Sequence, residues 1–252
     1  MQQMTCCVAS LLAELPPFNA AMMPQPYRGG GVHPAGEGIG AMNSKVQTSG
    51  IVTVADLAAV LANAARPVVL LEGIRALPDA DRGAVVALGR LLAVQLPGVV
   101  FRSGNAEGTD TAFAEGVTAV DPARMEYVMT HAGMGRKRRH PGARAVSLDE
   151  VPHVSVRAVG EFTLAASPGL KGLVDAYQTH GAKGPAGSKA AYLLRDTLKV
   201  IGAPDLGLTP ATVGIFYASA ADLLTGGTGH TIRVCRDRGV PVVLQAVWRK
   251  WL

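Results

Sequence analysis

The chain has 252 residues, 48% hydrophobic and 17% charged, enough apolar material for a sizeable core. Its formal net charge of +5 suits an anionic ligand and does not by itself indicate nucleic acid. Three cysteines (Cys6, Cys7 and Cys235) without a Cys-x-x-Cys pair support neither a disulfide framework nor a zinc ribbon, and no apolar run reaches the roughly 20 residues of a membrane span. With no basic leader ahead of an apolar core, a cytoplasmic protein away from membranes is the expectation.

Residues 1–50 contain Pro16, Pro17, Pro24, Pro26 and Pro34 together with Gly29, Gly30, Gly31, Gly36, Gly38 and Gly40, which interrupt any regular element. This stretch reads as a poorly ordered arm, and 51–252 as a single domain. A helix is expected over 54–65, with Leu57, Val60 and Leu61 on one face. Residues 67–73, Pro-Val-Val-Leu-Leu-Glu-Gly, read as a buried strand ending in a glycine turn. The helix over 79–95 takes Asp79 as its cap, and Val85, Leu88, Leu91 and Leu92 as its apolar stripe. Next come a strand over 98–104, a helix over 109–117 and a strand over 125–130. Residues 133–149 form a basic, Gly-rich loop, and two or three helices fill 150–201, so a helical insertion spans about 133–201. The strongest of these helices is 188–201, where Ala190, Leu194 and Leu198 recur at helical spacing. A strand over 212–218, a helix over 228–238 and a strand over 240–247 complete the chain. Strands alternating with helices predict an α/β, Rossmann-like parallel sheet with helices on both faces.

Two glycine-bearing turns stand where a strand hands over to a helix. The first reads Arg102-Ser-Gly-Asn-Ala-Glu-Gly-Thr-Asp110. Gly104 and Gly108 allow a tight turn and close approach to a ligand, while the free N–H groups of the helix start favour an anion. Ser103, Asn105 and Thr109 can hydrogen-bond the same ligand. Asp110 would repel a phosphate, so it binds a sugar hydroxyl or ties the loop by accepting backbone N–H groups. The second turn, Thr225-Gly-Gly-Thr-Gly-His-Thr231, puts Gly226, Gly227, Thr228, Gly229 and His230 at a helix N-terminus, with Arg233 one turn later. Either turn alone is a common strand-to-helix connection. Two in one α/β chain point to a shared phosphate cradle at the carboxyl edge of the sheet.

Gly73-Ile-Arg75, the 102–110 run about thirty residues later and the 225–231 run before a helix resemble, in that order, the SLOG superfamily. That superfamily includes the Rossmann-like domain of DNA-processing protein A, the "lonely guy" phosphoribohydrolases, molybdenum-cofactor carriers and nucleotide-sensing domains of prokaryotic defence systems. The likeness covers about 66–247 and is strongest to members carried by phages and mobile elements. It implies binding of a nucleotide or nucleotide-derived small molecule, as a sensor or carrier. The matching positions are Gly73 and Arg75 in the first turn, Ser103, Gly104, Gly108 and Asp110 in the second, and Gly226, Gly227, Thr228 and Gly229 in the third. It also implies a possible homodimer.

The phosphoribohydrolases carry a catalytic glutamate after their Pro-Gly-Gly-x-Gly-Thr run. Here Ile232 and Arg233 occupy that neighbourhood. Hydrolysis of an N-glycosidic bond is therefore an alternative that needs Asp110 or Glu107 as the carboxylate. A DNA-handling role like that of DNA-processing protein A is a further alternative. The densest basic run, Arg-Lys-Arg-Arg-His over 136–140, reads first as a solvated loop. The histidines show no metal-binding spacing, so no metal site is expected and no cofactor is implied beyond a nucleotide-type ligand. Gly-x-Ser-x-Gly and P-loop motifs are absent.

Overall fold

A computed structural model describes residues 50–219 and 223–252. The arm expected over 1–50 lies, except for Gly50, outside the described residues. Six strands, β1 (Val68–Gly73), β2 (Val100–Ser103), β3 (Met125–Met129), β4 (Arg144–Ser147), β5 (Val213–Tyr217) and β6 (Val242–Leu244), form one sheet in the order β4-β3-β2-β1-β5-β6. Every pairing is parallel, and Val69 on β1 stands opposite Phe101 on β2 and Val213 on β5. The architecture is α/β and Rossmann-like. All six residues of β1 are buried, as covering a parallel sheet on both faces requires.

Alternate residues of β1 feed opposite layers. Val69 and Leu71 pack with Phe101, Phe113 and Trp248 on one face, while Leu70 packs with Val200, Phe216 and Ile232 on the other. The first face carries α1 (Val54–Leu61), α2 (Asp79–Gln95) and α3 (Thr109–Thr118). Thr53 and Asp56 form a capping box at the start of α1. α2 and α3 approach closely through paired glycines: a Cβ on Gly116 would stand 2.1 Å from the Val86 carbonyl oxygen. The second face carries α4 (His153–Ala166), α5 (Lys171–His180), α6 (Gly184–Ile201) and α7 (Gly226–Asp237).

Three local expectations change. Pro78, not Asp79, holds the cap position of α2, and no side chain caps that helix. The loop expected over 133–149 contains β4. Its run Arg-Ala-Val-Ser is short, begins with a half-buried Arg144 that reaches back to Glu126 at 2.8 Å and ends with a buried Ser147, so its pattern does not read like that of an apolar strand. The last strand stops at Leu244, and Gln245–Trp248 turns into a short helix, α8. The buried Trp248 indole donates to the Phe216 carbonyl at 3.0 Å, and the Gln245 amide closes on Ala218, so the chain folds back under the sheet.

From β1 the chain steps outward through β2, β3 and β4. It then returns across the sheet to place β5 on the other side of β1. The crevice beyond the carboxyl ends of β1 and β5 is therefore the topological switch point, where open α/β sheets hold ligands.

Candidate functional site

A cavity of about 470 Å³ opens at this switch point. Glu72, Gly73, Ile74 and Arg75 line it from the end of β1, Ala106 and Asp110 from the start of α3, and Arg195 and Asp196 from α6. Ala218 and Ser219 follow β5, and Leu223 with Thr225, Gly226, Gly227 and Thr228 close it at the start of α7.

The start of α7 is open to the cavity. Among the described residues no side chain caps this helix, and its first-turn N–H groups have no intrahelical acceptor. Gly226 takes φ +65°, and a Cβ there would meet nothing within 4 Å. This edge of the cavity has positive helix-terminal character, the physical basis of anion binding.

The floor is a buried charge cluster. Glu72 Oε2 accepts from Lys199 Nζ at 2.6 Å, and Glu72 Oε1 accepts from the Thr231 hydroxyl at 3.0 Å. Lys199 also reaches Asp196 Oδ1 at 2.9 Å, and Arg195 Nε stands 3.4 Å from that same oxygen. Burial pushes the Glu72 carboxyl up to about 7; Lys199 opposes the rise, and the charges of Asp196 and Asp110 add to it. Burial would also raise Asp196, but Lys199 and Arg195 outweigh it and hold that carboxyl below the usual range. For Lys199, burial acts downward, and Asp196 and Glu72 more than offset it.

Arg195 is 3% exposed and lies over the Tyr192 ring at 5.7 Å, with Arg75 over the same ring at 5.5 Å. Apart from its 3.4 Å ion pair with Asp196, it makes no hydrogen bond among the described residues, and its Nε is buried without a hydrogen-bond acceptor.

The first glycine turn is stitched to its own protein. Asp110 accepts the N–H groups of Gly73 at 3.2 Å, Gly104 at 3.1 Å and Ala106 at 3.2 Å, which is the loop-tying role. The Thr109 hydroxyl donates to the Ile74 carbonyl at 2.8 Å. Gly108 has φ +79°, and a Cβ there would lie 2.0 Å from the Arg75 carbonyl oxygen. Ser103 is buried, and its hydroxyl accepts from the Asn105 N–H at 3.4 Å. Asn105, itself at φ 54°, donates to the Gly135 carbonyl at 3.1 Å.

Of the positions singled out in the sequence, Gly73, Arg75, Asp110, Gly226, Gly227 and Thr228 line the cavity. Ser103, Gly104, Asn105, Gly108 and Thr109 stand behind its wall, because their close approach is to the chain itself. Glu107 is an exposed partner of Arg138 at 3.0 Å and does not line the cavity. Gly229 packs on the Leu224 backbone. His230 turns into the helical layer, fully buried between Ser167 Oγ and Thr197 Oγ1 at 3.0 Å each, and burial lowers its pKa to about 4. Arg233 donates to Ser167 Oγ at 2.8 Å and to the Leu224 carbonyl, so it ties α7 to the end of α4 and to the preceding loop. In the basic run, Arg138 bonds Asn105 as well as Glu107, and Arg139 bonds the Ala132 carbonyl.

Glu72, Arg195 and Asp196 escaped the sequence reading, yet each carried a signal. Glu72 interrupts the apolar run Val68, Val69, Leu70, Leu71. Arg195, Asp196 and Lys199 fall on a helix with the buried stripe Ala190, Leu194 and Leu198, and all three are buried with it.

No family model matches the chain, and no curated protein matches it. Among solved structures, DNA processing protein A from Helicobacter pylori, described as having a unique single-stranded DNA binding mode, aligns with a TM-score of 0.41 and 15% identity. The match covers 71% of this chain and 65% of that one, so it spans a little under two thirds of that protein's length. The functional reading therefore rests on the cavity itself. Among the described residues, no helix is long and apolar enough to cross a membrane.

Proposed function

We propose that this chain binds a nucleotide or nucleotide-derived phosphate ester in the switch-point cavity, as a sensor or carrier. Arg195 carries the reading. It is a buried guanidinium without a hydrogen bond among the described residues, in the wall of a cavity that also receives the uncapped start of α7. Leaving such a group without a hydrogen bond is costly, and a phosphate supplies two oxygens for the bidentate contact that the planar guanidinium favours. Arg75 adds a second cation at the mouth. The order of glycine turns that resembles the SLOG superfamily supports the same ligand class.

Calorimetry of the full chain with nucleoside mono- and diphosphates tests this. Arg195→Gln is expected to weaken binding by about 10- to 100-fold, the loss typical of a hydrogen bond to a charged group. Binding that survives unchanged in Arg195→Gln removes Arg195 from the site and the reading with it.

A second reading, hydrolysis of an N-ribosyl bond, is favoured by one observation. Glu72, Asp110 and Asp196 all line the cavity, and Glu72, raised to about 7, lies in the range of a general acid at neutral pH. Asp196 reaches the start of α7 from α6, so the lack of a glutamate after Gly229 does not leave that turn without a carboxylate. Chromatography of nucleoside monophosphates incubated with the protein scores free base directly. Release that Asp196→Asn abolishes would make the protein an enzyme, and no release keeps the binder reading.

A further inference from the structure

The carboxylates facing the cavity differ in how many acceptor positions remain open. Asp110 takes three backbone N–H groups. Glu72 takes Lys199 on one oxygen and Thr231 on the other. Asp196 directs Oδ1 toward Lys199 and Arg195, at ion-pair distance but without a hydrogen bond among the described residues. Its Oδ2 accepts no hydrogen bond among the described residues and lies beside Gly227, 3.0 Å from where a Cβ on that residue would stand. The missing side chain at Gly227 is what leaves this oxygen uncovered at the edge of the cradle.

Lys199 and Arg195 keep Asp196 ionised despite burial. An ionised carboxylate only accepts, so the ligand atom meeting Oδ2 must be a donor and not a phosphate oxygen. On the sugar of a phosphate ester the donors are hydroxyls, and the charged alternative is an ammonium group. Lys199 at 2.9 Å and Arg195 at 3.4 Å already stand beside this carboxylate, so a further cation there would meet two neighbouring positive charges. A neutral hydroxyl satisfies the oxygen without adding one.

We infer that Asp196 reads the 2-hydroxyl of a ribosyl phosphate whose phosphate group sits at the start of α7, so that the site prefers ribosyl over 2-deoxyribosyl esters. This rests on the phosphate-ester reading above and adds the sugar to it. Asp196 is the specificity-determining group, Arg195 and the α7 terminus hold the anion, and Asp110 shapes the turn. The hydroxyl donates to Oδ2, and no bond is made or broken.

The test uses the full chain and three probes: ribose 5-phosphate, 2-deoxyribose 5-phosphate and inorganic phosphate. Calorimetry is expected to show ribose 5-phosphate binding about 10-fold or more tightly than its deoxy analogue, because a site that hydrogen-bonds a hydroxyl rejects the ligand lacking it. Asp196→Asn is expected to remove most of that difference, since the amide gives up the charged acceptor. Equal affinity for the two sugar phosphates in the unaltered protein overturns the inference and leaves the phosphate reading standing. Failure of all three probes to bind overturns both. The comparison in the unaltered protein decides the matter even if Asp196→Asn folds poorly.

Discussion

The turn that opens α3 and the turn that opens α7 both follow a strand at the carboxyl edge of the sheet, and both are built from glycine, threonine and a polar residue. At α3 the glycines face the chain's own backbone and side chains: Gly108 against the Arg75 carbonyl, Gly104 against the Arg195 guanidinium. At α7, Gly226 faces open space and Gly227 faces an oxygen of Asp196. The same signature therefore serves two physical ends. One turn is packed tightly so that β1, β2 and the loop after β1 fit together, and the other leaves Gly226 and Gly227 clear of backbone contact. Close backbone approach is what glycine permits, and the spacing of the motif does not say what is approached.

The difference predicts that substitutions in the first turn act mainly on folding and those in the second mainly on binding. The largest effect is expected at Gly108. A side chain there meets the Arg75 carbonyl oxygen at 2.0 Å and must also adopt φ +79°. Backbone cannot yield as a flexible side chain can, so Gly108→Val should lower stability by about 3–5 kcal/mol. Urea denaturation measures this directly. A loss under about 1 kcal/mol would mean that the loop relaxes freely, and the contrast between the turns would collapse.

His230 sharpens the contrast from the other side, because it belongs to the α7 run by sequence and to the core by structure. Its folded pKa of about 4 lies below the ordinary 6.5, through burial above all. Between these values the unfolded chain takes up a proton that the native chain does not, so the His230 contribution is complete above pH 6.5 and is lost as pH falls toward 4. Each pH unit in that window is worth at most about 1.4 kcal/mol, so the total is on the order of 3 kcal/mol. Glu72 acts in the opposite sense. Its carboxyl, raised from 4.5 to about 7, keeps a proton in the native state that the unfolded chain loses, so its contribution favours the fold as pH falls through that window. Comparing wild type with His230→Gln at each pH cancels the Glu72 contribution. The wild type should lose stability relative to the variant on acidification from pH 6.5 to 4. Parallel curves would place the imidazole in solvent instead of between Ser167 and Thr197.

Gly104 is the position where the two turns communicate. A Cβ there would stand 1.6 Å from Arg195 Nη1, the end of a side chain that can move. Gly104→Ala should therefore cost about 1–2 kcal/mol, an overpacking effect, and weaken nucleotide affinity about tenfold by displacing Arg195. Calorimetry and thermal unfolding on the same sample separate the two. Unchanged affinity with lowered stability would show that Arg195 does not serve the ligand.

The order of strands and helices was legible because strands buried on both faces read as apolar runs, and Val-Val-Leu-Leu over 68–71 is one. The switch-point position followed from where the glycine turns fall. β4 was not legible, because an edge strand with Arg144 at its start lacks the apolar pattern. The charged floor was missed for a different reason. Glu72 and Lys199 are 127 residues apart in sequence, and only the packing of α6 across β1 brings them within 2.6 Å. A charge in an apolar run is a local signal, whereas its partner is a tertiary fact. The direction of His230 was likewise beyond sequence, since one position along a helix turns a side chain by about 100°.

The smallest effect is expected at Gly226, and it bears most directly on the bare turn. Its φ of +65° disfavours an L side chain by about 1–2 kcal/mol, but a Cβ meets nothing within 4 Å, so strain is the whole stability cost. Gly226→Ala should lower stability by only about 1 kcal/mol, a melting shift of roughly 2–4 °C for a domain of this size. The new methyl group enters the space where the phosphate is proposed to rest, so affinity for a nucleoside monophosphate should fall by about tenfold while the protein stays folded. In Gly108→Val the balance is reversed, with a large loss of stability and near-normal affinity in whatever fraction remains folded. If Gly226→Ala binds as tightly as wild type, the glycine serves only the entry of the chain into α7, and the open space beside it holds no ligand.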